Sequence, residues 1–200
     1  MFLTGVFMKF PRSGLKWLPL SFLVIIVDQI SKLLVVRYIS YRDEYIPLWP
    51  SDMLGLIHVH NNGAAFSFLA DESGWQKILF GGVAVLVSAV IVAWLRKTPA
   101  DRRLVCSSLA LVLGGAIGNL IDRSVYSYVI DFILVHYKDV WSYPAFNIAD
   151  SAICVGAAML VIDALFDRKH PEKGGSAGKP DGEKPEAVSP EDSAGKGGEA

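Results

Sequence analysis

Residues 104–121 read LVCSSLALVLGGAIGNLI, a run of eighteen residues without a charge. A helix needs about 20 mostly apolar residues to cross a hydrocarbon core of about 30 Å. This run is therefore long and apolar enough to span a membrane, and it places the chain among membrane proteins.

Three further segments have the same character: residues 18–36, 78–95 and 148–166. The first is interrupted only by a short polar group, the second carries no charge, and the third contains two aspartates. The first segment is too long for the core of a cleaved signal peptide, so we expect it to remain as an anchor. The sequence thus predicts an all-α membrane protein with four transmembrane helices.

The composition separates this membrane domain from two polar ends. Hydrophobic residues make up 52% of the chain and charged residues 20%, but residues 171–200 hold eleven charges and one bulky aliphatic side chain. Such a segment cannot bury enough apolar surface to fold. We therefore expect a cytoplasmic N-terminal segment (1–16), a four-span domain (17–167) and a disordered cytoplasmic tail (168–200). No basic stripe of the kind that binds nucleic acid is present.

Lysine and arginine residues are divided unevenly between the two sides of the predicted bundle. Nine lie in the N-terminal segment, between the second and third spans, or just after the fourth, whereas four lie in the two long loops. Because cytoplasmic loops carry the excess of positive charge, both termini are expected in the cytoplasm and both long loops outside.

The first outer loop, residues 37–74, contains a predicted strand. Residues 54–60 read LGLIHVH, which is rich in aliphatic side chains and partly alternating, and Asn61-Asn62-Gly63 follows as a turn signal. We therefore expect a small sheet on the outer membrane face.

Polar side chains concentrate at the outer ends of the third and fourth spans. Asn119 and Asp122 are three residues apart, as are Asn147 and Asp150, so each pair lies on one helical face. Asp131, between the two spans, is expected on the same side of the membrane. Ionisable groups inside a membrane are costly, which makes this cluster a candidate site.

Paired carboxylates such as Asp131 and Asp150 have a defined chemical use. Two that lie close together share one proton, so one can accept a proton from water while the other donates to a substrate carbonyl or leaving nitrogen. Peptide hydrolysis by such a pair needs neither a metal nor a cofactor. The residues alone leave alternatives open, because intramembrane carboxylates also serve small transporters or merely brace helices. Bracing is our interpretation of Asp122, which lies beside Asn119 and Arg123.

Two other polar pairs have simpler interpretations. Asp28 and Lys32 lie one turn apart in the first span, and an internal ion pair is the favoured reading. His58 and His60 would share a face of the predicted strand, but catalytic metal sites typically have three protein ligands. We therefore expect no metal.

Five short motifs occur in order within residues 20–166. They are VDQ with Lys32, NNGAAFS (61–67), GGAIGNLIDR (114–123), VIDF (129–132) and FNIADSA (146–152). Together with four spans in the right places, they resemble the lipoprotein signal peptidases, bacterial enzymes that cleave prolipoproteins.

The resemblance implies an aspartic endopeptidase of the bacterial inner membrane with its site near the periplasmic face. The substrate would be a prolipoprotein whose lipobox Cys carries a diacylglyceryl group, cut just before that Cys. Asp131 and Asp150 correspond to the family's catalytic aspartates. The residues expected to line or support the site are Asn61, Asn119, Asp122, Arg123, Asn147, Asp28 and Lys32.

The implied fold has four transmembrane helices, a small periplasmic β-cradle, a short periplasmic helix, and a mobile periplasmic element that closes over the substrate. A monomer in contact with membrane lipid is expected, with no cofactor. The sequence departs from the family at His60, where Arg is common. A cationic contact at that position would depend on pH because histidine titrates near neutrality.

Overall fold

Four long helices form most of the computed structural model, which describes residues 13–48, 53–63, 75–138 and 140–167. The helices are α1 (Leu18–Tyr38), α2 (Trp75–Lys97), α3 (Arg103–Val125) and α4 (Ile148–Asp167). All four are long and apolar enough to cross a membrane, as the sequence predicts.

Helix α3 is the central helix of the bundle. Its most apolar 18-residue window is 56% buried, against 11% to 22% for the other three helices, and it packs against all of them. Large apolar side chains on the outer helices remain exposed, among them Phe22, Leu33 and Leu86. An exposed apolar surface of this extent is expected where a protein meets lipid.

Small residues allow α4 to approach α3 closely. A Cβ atom added to Gly115 would collide with the backbone carbonyl of Ala149 and lie 2.7 Å from Ile153 Cγ1. One added to Gly156 would lie 2.7 Å from the carbonyl oxygen of Ser108. Glycine is therefore required at this helix crossing, as in other tightly packed membrane bundles.

The structure contains one antiparallel sheet of four strands, of which the last two lie between α3 and α4 in the chain. Its order is β1-β2-β3-β4, with β1 at Ile46–Pro47, β2 at Leu54–Asn61, β3 at Val129–Tyr137 and β4 at Trp141–Ser142. The strand expected at residues 54–60 is confirmed. Strand β3, the main partner of β2, was not expected from the sequence. The first four residues of β3 are all buried, so its sequence shows no alternation of apolar and polar side chains there.

The register between β2 and β3 sets up the polar cluster. Asp131 pairs with Val59, and Val129 pairs with Asn61. Side chains alternate between the two faces of a sheet, so Asn61 and Asp131 point to the same face. Their neighbours His60 and Ile130 point to the other face.

At the opposite end of the bundle, residues 13–17 before α1 bond to the last turn of α2 and to the residues after it. The Gly14 amide donates to the carbonyl of Thr98 (2.8 Å), Ser13 Oγ donates to the carbonyls of Leu95 (3.3 Å) and Arg96 (3.2 Å), and Trp17 Nε1 donates to the carbonyl of Ala100. These bonds satisfy carbonyl groups that the end of α2 leaves without helical partners.

Several sequence-based expectations lie outside the described residues. They concern most of the N-terminal segment (1–12), two parts of the first long loop (49–52 and 64–74), and the tail (168–200).

Candidate active site

Asp131 is a buried carboxylate in strand β3, with 2% of its surface exposed. Its Oδ2 accepts a hydrogen bond from Asn61 Nδ2 (2.9 Å), and its Oδ1 accepts one from Asn147 Nδ2 (2.7 Å). Burial raises the pKa of Asp131 to about 6, and the negative charge of Asp150 adds to this rise. At moderately acidic pH Asp131 therefore holds a proton that an exposed aspartate would have lost.

Asp150 lies in the first turn of α4, where it forms a reciprocal cap with Asn147. The Asp150 amide donates to Asn147 Oδ1 (2.9 Å), and the Asn147 amide donates to Asp150 Oδ2 (3.3 Å). Asn119 Nδ2, from α3, donates to Asp150 Oδ1 at 2.7 Å. Two helices thus fix the position of this carboxylate.

Asn147 connects the two aspartates. Its side-chain amide donates to Asp131 and to Asn119 Oδ1 (3.2 Å), while its side-chain oxygen and backbone amide bond to Asp150. The structure therefore brings together Asp131, Asp150, Asn61, Asn119 and Asn147, which come from four separate elements.

Lys32 is a buried cation on the α1 side of this cluster. Its ammonium group contacts Asp28 Oδ2 (2.7 Å), Asp122 Oδ2 (2.9 Å) and Asn119 Oδ1 (3.1 Å). The ion pair expected between Asp28 and Lys32 is present. Asp28 Oδ1 also accepts from the Ala149 amide (2.9 Å), which ties α1 to the start of α4.

Asp122 braces the site through hydrogen bonds with residues other than Asn119 and Arg123, the two neighbours that the sequence suggested, while Arg123 acts on it electrostatically. Its Oδ2 accepts from Lys32 and from the Ile130 amide (3.1 Å), and its Oδ1 accepts from Gln29 Nε2 (2.9 Å). The sequence singled out Arg123 as its neighbour but gave no role to Gln29. The sequence could have identified Gln29, because a glutamine beside an aspartate in an apolar span needs a polar partner inside the bundle.

The Arg123 guanidinium lies at the edge of the cluster. It donates to the backbone carbonyl of Asn119 (3.4 Å), lies 5.6 Å from the centre of the Phe80 ring, and interacts electrostatically with Asp150 and Asp131. Arg123 therefore supplies positive charge near both carboxylates.

His60 lies on the face of the sheet opposite Asp131, within a stack of aromatic rings. Its ring stacks on Tyr128 (3.7 Å between centroids) and Tyr41 (4.1 Å). Burial lowers the pKa of His60, and the charges of His58 and Arg42 lower it further. At neutral pH His60 is therefore an uncharged stacking residue, which the sequence did not indicate.

The described residues contain no group of three or more His, Cys, Asp or Glu side chains arranged to hold a metal ion. His58 and His60 are neighbours, with ring centroids 5.1 Å apart, but His58 Nδ1 bonds to the carbonyl of Ile39 (3.0 Å).

Two solved structures match the fold of this chain. Both are bacterial membrane enzymes, determined at 2.3 Å and 1.9 Å resolution. Each is 24% identical to this chain with a TM-score of 0.67; the matches cover 80% of this chain and 94% and 99% of those chains. This chain therefore shares its fold with those two bacterial membrane enzymes.

Sequence comparison gives the family. The family model described as signal peptidase (SPase) II matches residues 20–166. A lipoprotein signal peptidase of Pseudoalteromonas translucida is 50% identical, over 77% of this chain and 90% of the relative. Lipoprotein signal peptidases of Pseudomonas aeruginosa and Acinetobacter baylyi are each 46% identical, over 79% and 82% of this chain and 92% and 89% of the relatives.

The chain therefore belongs to the signal peptidase II family. Family membership confirms the predicted cleavage of prolipoprotein signal peptides, and it gives no support to the transporter alternative.

Proposed function

We propose that this peptidase is an aspartic endopeptidase in which Asp131 and Asp150 are the catalytic pair. The observation that carries the proposal is the arrangement around Asn147, whose polar groups bond to both carboxylates. Two carboxylates held by one asparagine cannot easily both ionise, so the pair retains a proton over the pH range in which peptide hydrolysis requires one acid and one base. Asn61 and Asn119 are positioning residues in this scheme.

Structural bracing is the competing explanation for these two aspartates. A bracing carboxylate is normally neutralised by a buried cation, as Asp28 and Asp122 are by Lys32. Asp131 instead accepts from the amides of Asn61 and Asn147. Neutral donors leave the carboxyl able to gain and lose a proton, which favours the catalytic role.

The substrate we propose is a prolipoprotein whose lipobox Cys carries a diacylglyceryl group, cut on the N-terminal side of that Cys. The pair lies where α3 ends and α4 begins, next to helices whose outer surfaces are apolar. A lipid-anchored substrate would bring its cleavage site to this depth without leaving the membrane.

The assay that tests this function uses the purified protein in detergent with two matched precursors. One carries the diacylglyceryl group on its Cys, and the other has Ser in place of that Cys. Only the lipidated precursor should be shortened, its new N-terminus should be the modified Cys by mass spectrometry, and EDTA should leave the rate unchanged. Equal cleavage of both precursors would remove the lipid requirement, and loss of activity in EDTA would favour a metal mechanism.

We further propose that the enzyme works as a monomer in the inner membrane, with both termini in the cytoplasm and the catalytic pair near the periplasmic face. The excess of Lys and Arg in the connection between α2 and α3 supports this orientation.

Thiol labelling tests the orientation. In a chain whose two native cysteines are replaced, a membrane-impermeant maleimide added to spheroplasts should label a cysteine at Val140, which is 80% exposed. It should label a cysteine at exposed Asp101 only after the membrane is permeabilised. The reverse pattern would invert the topology.

A further inference from the structure

The proton-sharing pair is not symmetric in its surroundings. Asp131 accepts from two neutral side-chain amides, those of Asn61 and Asn147, within a sheet. Asp150 lies at the N-terminus of α4, where the helix dipole favours a negative charge, and it also accepts from the Asn147 backbone amide. The structure therefore offers more stabilisation to an ionised Asp150 than to an ionised Asp131.

Lys32 adds to this asymmetry through one hydrogen-bonded chain. An ammonium group has three donors, and those of Lys32 have acceptors in Asp28, Asp122 and Asn119 Oδ1. The other end of the same Asn119 amide donates to Asp150 Oδ1 at 2.7 Å. A cation on the oxygen of an amide polarises it and strengthens its N–H as a donor.

Other charged groups lie around the pair. Asp28 and Asp122 place two carboxylates against the single charge of Lys32, but of these three groups only the ammonium contacts Asn119 Oδ1. Arg123 on α3 interacts most strongly with Asp150 and less with Asp131 and Asp122, so its positive charge adds to the asymmetry. Lys32 also acts electrostatically on Asp131. Its hydrogen-bonded chain, however, reaches Asp150 in one step through Asn119, whereas the path to Asp131 also passes through Asn147.

We propose that Lys32 is a positioning residue that acts through Asn119 to keep Asp150 ionised as the general base, which leaves the shared proton on Asp131 as the general acid. This assignment rests on the catalytic pair proposed above.

The assignment gives a balanced reaction. Asp150 takes a proton from water as the water oxygen bonds to the substrate carbonyl carbon, and Asp131 gives its proton to the carbonyl oxygen. On collapse of the resulting gem-diol, Asp150 returns its proton to the leaving nitrogen, the C–N bond breaks, and Asp131 regains a proton from a diol hydroxyl. Both carboxyls end in their starting states.

Two variants break the chain at different points. Lys32→Met combined with Asp28→Asn removes one cation and one anion, and the side-chain oxygen of the new asparagine can still accept from the Ala149 amide. Asn119→Ala removes the connecting amide but leaves the contacts of Lys32 with Asp28 and Asp122. Asp28→Asn alone is the matched control because it keeps Lys32 and its bond to Asn119.

The readout is the pH profile of kcat and KM for the lipidated precursor. Loss of the chain should move the acidic limb to higher pH, so that kcat relative to the wild type falls about tenfold near pH 5 and this ratio recovers towards neutral pH, with KM within about twofold. Asp28→Asn alone should not move the limb upwards.

A loss of equal size at every pH, including a complete loss, would overturn the role of Lys32 and indicate a purely structural one. If the double variant does not accumulate, Asn119→Ala tests the last step of the chain, its bond to Asp150, and an unmoved acidic limb in that variant would overturn the proposal. Activity in Asp131→Asn or Asp150→Asn would instead contradict the proposed catalytic pair, and this result is distinct from any result for Lys32.

Discussion

Asp131→Asn and Asp150→Asn should each stop release of the signal peptide, lowering kcat by about 10²–10⁴-fold, the usual contribution of a positioned acid or base. Asparagine has nearly the shape of aspartate but cannot exchange the proton that the reaction needs. Both variants should still accumulate, because the asparagine oxygen keeps one of the two hydrogen bonds that each aspartate accepts, and only the amide facing its NH2 group loses its acceptor. The measurement is the size shift of the lipidated precursor at equal enzyme concentration.

The matched control is Asp163→Asn, which changes another aspartate of α4. Asp163 pairs with Arg102 at 3.0 Å, and both side chains are partly exposed. Ion pairs of this kind contribute about 0–1 kcal/mol, so the control should cleave at nearly the normal rate. Substantial cleavage by either dyad variant would remove that residue from the catalytic pair.

The Asp131→Asn variant should also differ from the wild type in the pH dependence of its stability. The pKa of Asp131 is about 6 in the fold against an ordinary value of 3.8, so the folded protein holds this proton more tightly than the unfolded chain does. The wild type therefore loses stability as the pH rises from about 4 to 6, by about 3 kcal/mol in total. Asparagine does not titrate, so the stability of the Asp131→Asn variant should lack this contribution.

Thermal unfolding in detergent measures this difference. From pH 4 to pH 7, the Tm of the wild type should fall relative to that of Asp131→Asn. A constant difference in Tm across this range would show that Asp131 does not bind its proton more tightly in the fold.

Gly115→Ala should be the most damaging single-methyl change in the bundle. The new Cβ would collide with the carbonyl of Ala149 and approach Ile153 Cγ1 to 2.7 Å, so α3 and α4 must move apart. Overpacking of this kind costs about 1–3 kcal/mol or more. Because Ala149 immediately precedes Asp150, we expect a lower Tm together with reduced cleavage.

Gly82→Ala is the control for this substitution. Gly82 is also in a transmembrane helix, but a Cβ added there would meet nothing within 4 Å. It should unfold and cleave like the wild type. Similar behaviour of the two alanine variants would mean that α3 and α4 are not packed as closely as the structure has them.

The parts of the fold that depend on local pattern could be predicted from the sequence. The four spans follow from the length and apolarity of their segments, and the strand at 54–60 follows from its composition and the turn after it. The three-residue spacings of Asn119 with Asp122 and of Asn147 with Asp150 predicted which side chains share a face. Strand β3 was missed because its buried first half has no alternating pattern.

Contacts that depend on how helices rotate against one another could not be predicted. Lys32 and Asn119 are 87 residues apart, and Gln29 and Asp122 are 93 apart. Periodicity shows that α1 has a polar face but not which helix that face meets. The stack of His60 between Tyr41 and Tyr128 was missed for the same reason, since three separate segments meet there.

The early position of the Asp28–Lys32 ion pair also has a consequence for biosynthesis. The first span leaves the ribosome long before Asn119 and Asp122 exist, so it must enter lipid without the partners that finally surround it. An opposite charge four residues away on the same helix lets it do so nearly neutral, at a lower insertion cost than a lone lysine would carry. The ammonium group keeps this counter-ion in the folded protein, and packing of α1 against α3 only adds its contacts with Asp122 and Asn119.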